Sequence, residues 1–214
     1  MNGKIIHGDC LEELKKLEDK SIDLILTDPP YGIGIAKKGT VGGGLLAKPK
    51  FYGNIDWDNS IPSEEIFLQM MRVSKNQIIF GGNYFTKYLS PSPCWLVWDK
   101  GRSGINFADV ELVWSSFSSP ARKFKWVWDG MRQEKMNKKE IRFHPTQKPV
   151  GLIEQILLSY SKEGDLVCDP FLGSGTTAIA CEKLNRKYIG IEINEEYIKI
   201  AQQRLNAFKG QTRL

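Results

Sequence analysis

The sequence has no apolar run approaching the ~20 residues that a membrane-spanning helix needs. Its opening residues, MNGKIIHGDC, lack the apolar core and small-residue cleavage site of a secretory signal. A cytoplasmic protein that does not engage a membrane is therefore expected. Cysteine is sparse: Cys10, Cys94, Cys168 and Cys181 are scattered, with no C-x-x-C pair and no histidine at ligand spacing. That pattern argues against a disulfide framework and against zinc, so no metal is expected. The sequence also lacks internal repeats, low-complexity blocks and any visible nuclease motif.

Excess positive charge is missing from most of the chain. The formal net charge is +5 over 214 residues. Between 120 and 142 (PARKFKWVWDGMRQEKMNKKEIR), eight Lys/Arg stand against three Asp/Glu, a local +5. The remainder therefore balances to about zero. The same segment carries Phe124, Trp126 and Trp128. Basic residues interleaved with aromatics suit a polyanion with stackable bases. A solvated face with an apolar anchor strand is the competing reading.

What is present is a strand–helix alternation long enough for one sizeable domain, 1–214. KIIHGD reads as a strand, and Asp9 can cap the helix that follows, with Leu11, Leu14 and Leu17 on one side. IDLILT (Ile22–Thr27) is nearly all apolar, as a strand buried on both faces should be. Residues 32–60 are rich in Gly and Lys and read as a long mobile loop. A capped helix from Ser63, the strand QIIFGGN and a short helix around YFTKYL follow. CWLVWDK and VELVWSS read as a hairpin. After the basic segment come the helix VGLIEQILLSYS, the strand DLVCD, the turn PFLGSG, the helix TTAIACEKLN and the strand KYIGIEI. The last helix spans Glu195–Phe208. The expected fold is α/β: a Rossmann-like, doubly wound, mostly parallel sheet with helices on both faces and an antiparallel hairpin at its edge.

DLVCDPFLGSGTTAIA (Asp165–Ala180) is a strand, a tight glycine turn and a helix start. Gly173 and Gly175 allow a ligand close to the backbone, and a helix N-terminus favours an anionic group. A phosphate-cradling P-loop would need a Lys that is absent, and the dinucleotide fingerprint G-x-G-x-x-G fits poorly. S-adenosylmethionine, with a carboxylate and an adenosine but no phosphate, is the ligand that remains. Glu192 ends the next strand, 17 residues after Gly175, where an acid can accept from two ribose hydroxyls. Ile193 beside it can pack on the adenine.

DPPY (Asp28–Tyr31) and DPFLGSGTT (Asp169–Thr177), with HGDC at the start and HPTQKP (His144–Pro149) between them, resemble the amino-methyltransferases of DNA. The tetrapeptide precedes the cofactor turn, which resembles the permuted β-class of small bacterial or phage type. The resemblance implies methyl transfer from S-adenosylmethionine to adenine N6 or cytosine N4 in double-stranded DNA. It implies that Asp9 and Cys10 hold the cofactor adenine. Asp169, Phe171, Gly173, Ser174, Gly175 and Thr176 line its methionine and adenosine portions. Thr146, Gln147 and Lys148 lie near its carboxylate. The segment 120–143 is a target-recognition region much shorter than the family's usual one. A homodimer, or reading with the 32–60 loop, is expected to make up for that. Lys37, Lys38, Arg122, Lys123, Lys125, Arg132, Lys138 and Lys139 are the expected DNA contacts.

The tetrapeptide has two tasks. The reactive nitrogen is paired inside the duplex, so the base must leave the stack. Its lone pair is also delocalised into the ring. If the Asp28 carboxylate and the Pro29 carbonyl each accept one amino hydrogen, the lone pair can point at the methyl group. Pro29 and Pro30 fix the backbone for this, and Tyr31 offers a ring for the flipped base. Asp at the first position favours adenine within this resemblance; cytosine N4 is the alternative, and a non-catalytic DNA-binding subunit a more distant one. Asp28 also borders the cofactor in this scheme.

Overall fold

A computed structural model describes residues 3–34, 40–41, 50–51, 58–102, 108–129, 132–143 and 146–211. In chain order the strands are β1 (Gly3–His7), β2 (Ile22–Thr27), β3 (Thr40–Val41), β4 (Lys50–Phe51), β5 (Ser74–Phe80), β6 (Trp95–Asp99), β7 (Val110–Ser115), β8 (Arg122–Lys125), β9 (Trp128–Asp129), β10 (Arg132–Gln133), β11 (Leu166–Asp169) and β12 (Lys187–Glu192). The helices are α1 (Cys10–Lys15), α2 (Glu64–Val73), α3 (Val150–Tyr160), α4 (Thr176–Lys183) and α5 (Glu195–Gln211).

Eight strands form one sheet in the order β1-β12-β11-β2-β5-β7-β6-β8. The first five run parallel, β7 runs antiparallel to β5 and β6, and β8 lies parallel to β6. This is the expected α/β sheet. The apolar runs are buried on both faces because the pleat alternates. Leu24, Leu26, Ile78 and Phe80 face the core beneath α3 and α4, while Ile25 and Ile79 face α1 and α2. Each such side chain contributes ~1.5–3 kcal/mol of burial.

Three local expectations come out differently. The β6–β7 hairpin is not the edge of the sheet, because the basic residues 122–125 continue it as β8. YFTKYL holds no α-helix; a single 3₁₀ turn covers Gly82–Tyr84. Gly81, at φ 66, starts that turn, and an added Cβ there would lie 2.2 Å from the Tyr31 ring. Ser63 occupies the N-cap of α2 without a side-chain cap bond, whereas Asp9 does cap α1, accepting from Leu11 N and Glu12 N at 2.9 and 3.1 Å. Most of the 32–60 loop lies outside the described residues, but β3 and β4 within it pair antiparallel.

Candidate active site

The parallel strands β2, β11 and β12 bring their carboxyl ends to one edge, where ligands of α/β sheets sit. β2 runs into Asp28–Tyr31, β11 into the glycine turn, and β12 ends on Glu192. A cavity of about 350 Å³ opens there, lined by Asp28, Pro30, Thr146, Gln147, Lys148, Asp169, Phe171, Gly173, Ser174, Thr176, Glu192 and Ile193, among others. A second, of about 230 Å³, is lined by Asp9 and Cys10 with Ile61 and Ile66, and shares Pro30, Phe171, Glu192 and Ile193 with the first. The two cavities thus meet along one wall. They bring together every expected cofactor residue except Gly175.

The two turn glycines do different things. Gly175, at φ 84, would place a Cβ 2.7 Å from that of Ala201, so it lets α5 close on the turn. Gly173, at φ 54, has nothing within 4 Å of its missing Cβ, so its bare backbone faces open space. Its N–H donates to Glu192 Oε2 at 2.8 Å, and Asn194 N donates to Oε1 at 2.8 Å. Burial raises the Glu192 pKa against these bonds. A carboxylate has about four acceptor sites, more than these backbone N–H groups occupy.

Asp169 is an anchor between the two turns. It accepts from Thr27 Oγ1 at 2.7 Å, Thr177 Oγ1 at 2.6 Å and Phe171 N at 3.1 Å. Burial nevertheless pushes its pKa up to about 6. Behind the glycine turn, Arg204 donates to the Ser174 carbonyl at 2.6 Å and hydroxyl at 2.9 Å. Burial lowers its pKa to about 10. Gln147 accepts from Phe143 N at 2.9 Å and donates to the Ile141 carbonyl at 3.1 Å, so it pins the segment before α3 as well as lining the cavity.

Around Asp28 the structure assembles charges the sequence leaves far apart. Lys148 Nζ donates to Asp28 Oδ2 at 2.5 Å and lies 3.0 Å from Glu111 Oε1. Lys100 Nζ lies 3.0 Å from Glu111 Oε2. The Tyr31 hydroxyl lies 2.6 Å from both Asp28 Oδ1 and Glu111 Oε1. Burial raises the Asp28 pKa more than Lys148 lowers it. For Glu111 burial works upward too, but Lys148 and Lys100 together bring it down to about 2. Burial works against the Lys148 charge, and the two facing carboxylates outweigh it, so its pKa is raised.

Tyr31 lines neither cavity. Its ring stacks on Tyr84, centroids 4.8 Å apart at 14°, and meets Phe85 edge-on. Its hydroxyl is directed at the Asp28 and Glu111 carboxylates. Pro29 is buried and lines neither cavity, while Pro30 borders both. The turn that follows is held by Asp58, whose Oδ1 accepts from Tyr31 N and Gly32 N, both at 2.9 Å.

The basic segment also divides. Trp126 and Trp128 are buried, and Trp128 Nε1 donates to the Gln147 carbonyl at 3.0 Å, so these rings anchor the segment to the core and are not open to bases. Arg122, Lys123, Lys125, Arg132, Lys138 and Lys139 are exposed, with Lys123 3.5 Å from Asp99. Lys37, Lys38 and His144 lie outside the described residues. Sequence reasoning missed Glu111, Lys100, Asp58 and Arg204. Only Glu111 left a signal, as a single acid inside the apolar strand VELVWS.

Among the described residues no group of His, Cys, Asp and Glu could hold a metal ion, and no helix is long and apolar enough to cross a membrane. Residues 104–203 match the family model described as DNA methylase. The chain is 32% identical to the type II methyltransferase M.HpaI of Haemophilus parainfluenzae, over 97% of this chain and 75% of that protein. It is also 32% identical to the DNA adenine methyltransferase YhdJ of Escherichia coli K12, over 94% of this chain and 82% of that one. The solved complex of M1.HpyAVI with SAM shares 25% identity and a TM-score of 0.58, covering 95% of this chain and all of the other.

Proposed function

This chain belongs to the DNA methylase family, and from that premise we propose which of its residues methylate adenine N6 in DNA, and how. It is a DNA methyltransferase that uses S-adenosylmethionine. The residues fit that cofactor. Gly173 leaves open space over its backbone, Glu192 keeps acceptor sites for ribose hydroxyls, and Asp9 and Cys10 line the adjoining cavity where the adenine would lie. Bound there, S-adenosylmethionine supplies a methyl group activated by a sulfonium charge.

The observation that carries the reading is the Asp28 carboxylate on the wall of the larger cavity, shared with the glycine turn. An exocyclic amino group brought to it donates one hydrogen to Asp28 and the other to the Pro29 carbonyl. Both hydrogens held, the nitrogen moves toward tetrahedral geometry with its lone pair toward the methyl group. As the amine gains positive charge, a fixed carboxylate favours the transition state over the ground state; the methylated nitrogen then sheds its surplus proton, and S-adenosylhomocysteine is the other product. Lys148 is engaged by Asp28 and Glu111 at 2.5 and 3.0 Å, so we assign it to the catalytic carboxylate and not to the methionine carboxylate. Tyr31 acts on Asp28 through its hydroxyl, as a positioning residue.

The exposed lysines and arginines of β8 and the stretch after it are assigned to DNA phosphates. Because 120–143 is short for target recognition, a second copy of the chain or the 32–60 loop completes the reading of the site. Sedimentation with and without DNA separates these two. Unmethylated plasmid DNA incubated with the protein and S-adenosylmethionine, then digested for mass spectrometry, tests the base. N6-methyladenine is expected. N4-methylcytosine in its place would overturn the adenine assignment.

A further inference from the structure

Both donors on Asp28 are shared with a second carboxylate. The Tyr31 hydroxyl is 2.6 Å from Asp28 Oδ1 and 2.6 Å from Glu111 Oε1. Lys148 Nζ is 2.5 Å from Asp28 Oδ2 and 3.0 Å from the same Glu111 oxygen. The other Glu111 oxygen is held by Lys100 at 3.0 Å, and Lys100 itself sits over the Trp98 ring, 4.7 Å from its centroid. Glu111 is fixed by its strand: the backbone of β7 pairs with β5, and Gly81 N donates to the Leu112 carbonyl at 2.9 Å.

A phenol has one hydrogen, so Tyr31 donates to one carboxylate at a time. In this structure each Asp28 oxygen already holds a donor. A carboxylate that turns to meet an incoming amino group stretches or gives up at least one of these bonds. A buried ammonium or hydroxyl released with no other acceptor is strongly disfavoured. Glu111 is the acceptor both groups already touch, and it needs no movement to keep them.

We infer that Glu111 is a positioning residue that retains the Tyr31 hydroxyl and the Lys148 ammonium when the Asp28 carboxylate turns to the amino group of the target base. Lys100 keeps Glu111 charged and in place for this exchange. The inference rests on the assignment of Asp28 given above. It makes the site a pair of unlike carboxylates, one that meets the base and one that holds the donors the first gives up.

The test is turnover of Glu111→Gln on unmethylated plasmid DNA with tritiated S-adenosylmethionine, rates being scaled to the fraction of molecules that bind cofactor. A Gln side chain keeps one oxygen but loses the charge, and its amide hydrogens must face one of the two lysines, Lys148 or Lys100. The expected result is a kcat lower by roughly 10- to 100-fold, with KM for DNA and cofactor affinity within about twofold. Glu111→Asp should recover part of the loss. A residue that only supports the fold would lower the thermal midpoint and leave kcat per cofactor-binding molecule unchanged. Wild-type kcat, or a raised KM at unchanged kcat, overturns the inference. If Glu111→Gln does not fold, Lys100→Met carries the test, with a kcat lower by about threefold or more supporting the inference and wild-type kcat overturning it. Asp28→Ala measured alongside separates the two levels. If it is inactive while Glu111→Gln turns over normally, only the role of Glu111 falls; if it is active, the assignment of Asp28 falls.

Discussion

The Thr27 hydroxyl donates to the Asp169 carboxylate at 2.7 Å, tying the turn after β2 to the turn after β11 across 142 residues of sequence. The two Asp-Pro turns are therefore one unit. On the proposed reading, one carries the acceptor for the base and the other carries the cofactor loop.

This bond sits on a carboxyl whose pKa burial raises to about 6. Between its unfolded value near 3.8 and about 6, the native protein binds more protons at Asp169 than the unfolded chain does. Stability from this group is therefore fully present below about pH 4 and is lost as pH rises through 6. Asp169→Asn removes that dependence. Denaturant titrations of both proteins at pH 4.5 and 7 should show a smaller fall for the variant, by on the order of 2 kcal/mol at most. Equal falls would take Asp169 out of the pH response.

The glycine turn predicts a contrast between its two glycines. Gly175→Ala drives a Cβ to 2.7 Å from that of Ala201 and also strains the left-handed backbone, so it should cost about 2–5 kcal/mol, a melt lowered by roughly 4–20 °C. Gly173→Ala meets no neighbour. Its cost is the left-handed backbone alone, about 1–2 kcal/mol. Its effect should appear instead in calorimetry, as cofactor affinity weaker by about tenfold or more.

Glu192→Ala removes the acceptor for Gly173 N and Asn194 N and the sites assigned to the ribose. Calorimetry should show S-adenosylmethionine binding weaker by roughly 10- to 150-fold, the equivalent of one hydrogen bond to a charged group. Unchanged affinity would place the ribose elsewhere.

Tyr31 offers a clean choice between ring and hydroxyl. Tyr31→Phe keeps the stack on Tyr84 and deletes only the hydroxyl between Asp28 and Glu111. If the hydroxyl is what matters, kcat falls by roughly 10-fold or more. Wild-type turnover in Tyr31→Phe combined with a loss in Tyr31→Ala would return the role to the ring.

Much of this was legible in the chain because it is local. The apolar runs of β2, β5 and β12, the glycines after β11 and the acid at the end of β12 each announce an element or its end within a few residues. The Asp28 neighbourhood was not legible in the same way. Lys148 meets Asp28 across 120 residues, and Tyr31 meets Glu111 across 80. No periodicity reports such pairs; only the sheet order places β7 next to β5 and one strand away from β2. The tryptophans misled for a related reason. Composition placed Trp126 and Trp128 beside lysines, but both rings are buried against the core while Arg122, Lys123 and Lys125 are exposed.

The basic face is tested by salt. Replacing Arg122, Lys123 and Lys125 with Gln should flatten the dependence of DNA affinity on salt, by about 0.9 in log–log slope for each phosphate contact removed. An unchanged slope would mean that β8 does not meet DNA.

The central claim is that Asp28 holds the amino group of the base in the transition state. Methyl transfer and cofactor binding measured on one preparation of Asp28→Ala test it most directly. The account predicts S-adenosylmethionine affinity within a fewfold of wild type and a kcat lower by at least roughly 10²–10³-fold, with little N6-methyladenine formed. Near wild-type turnover in that variant would contradict it.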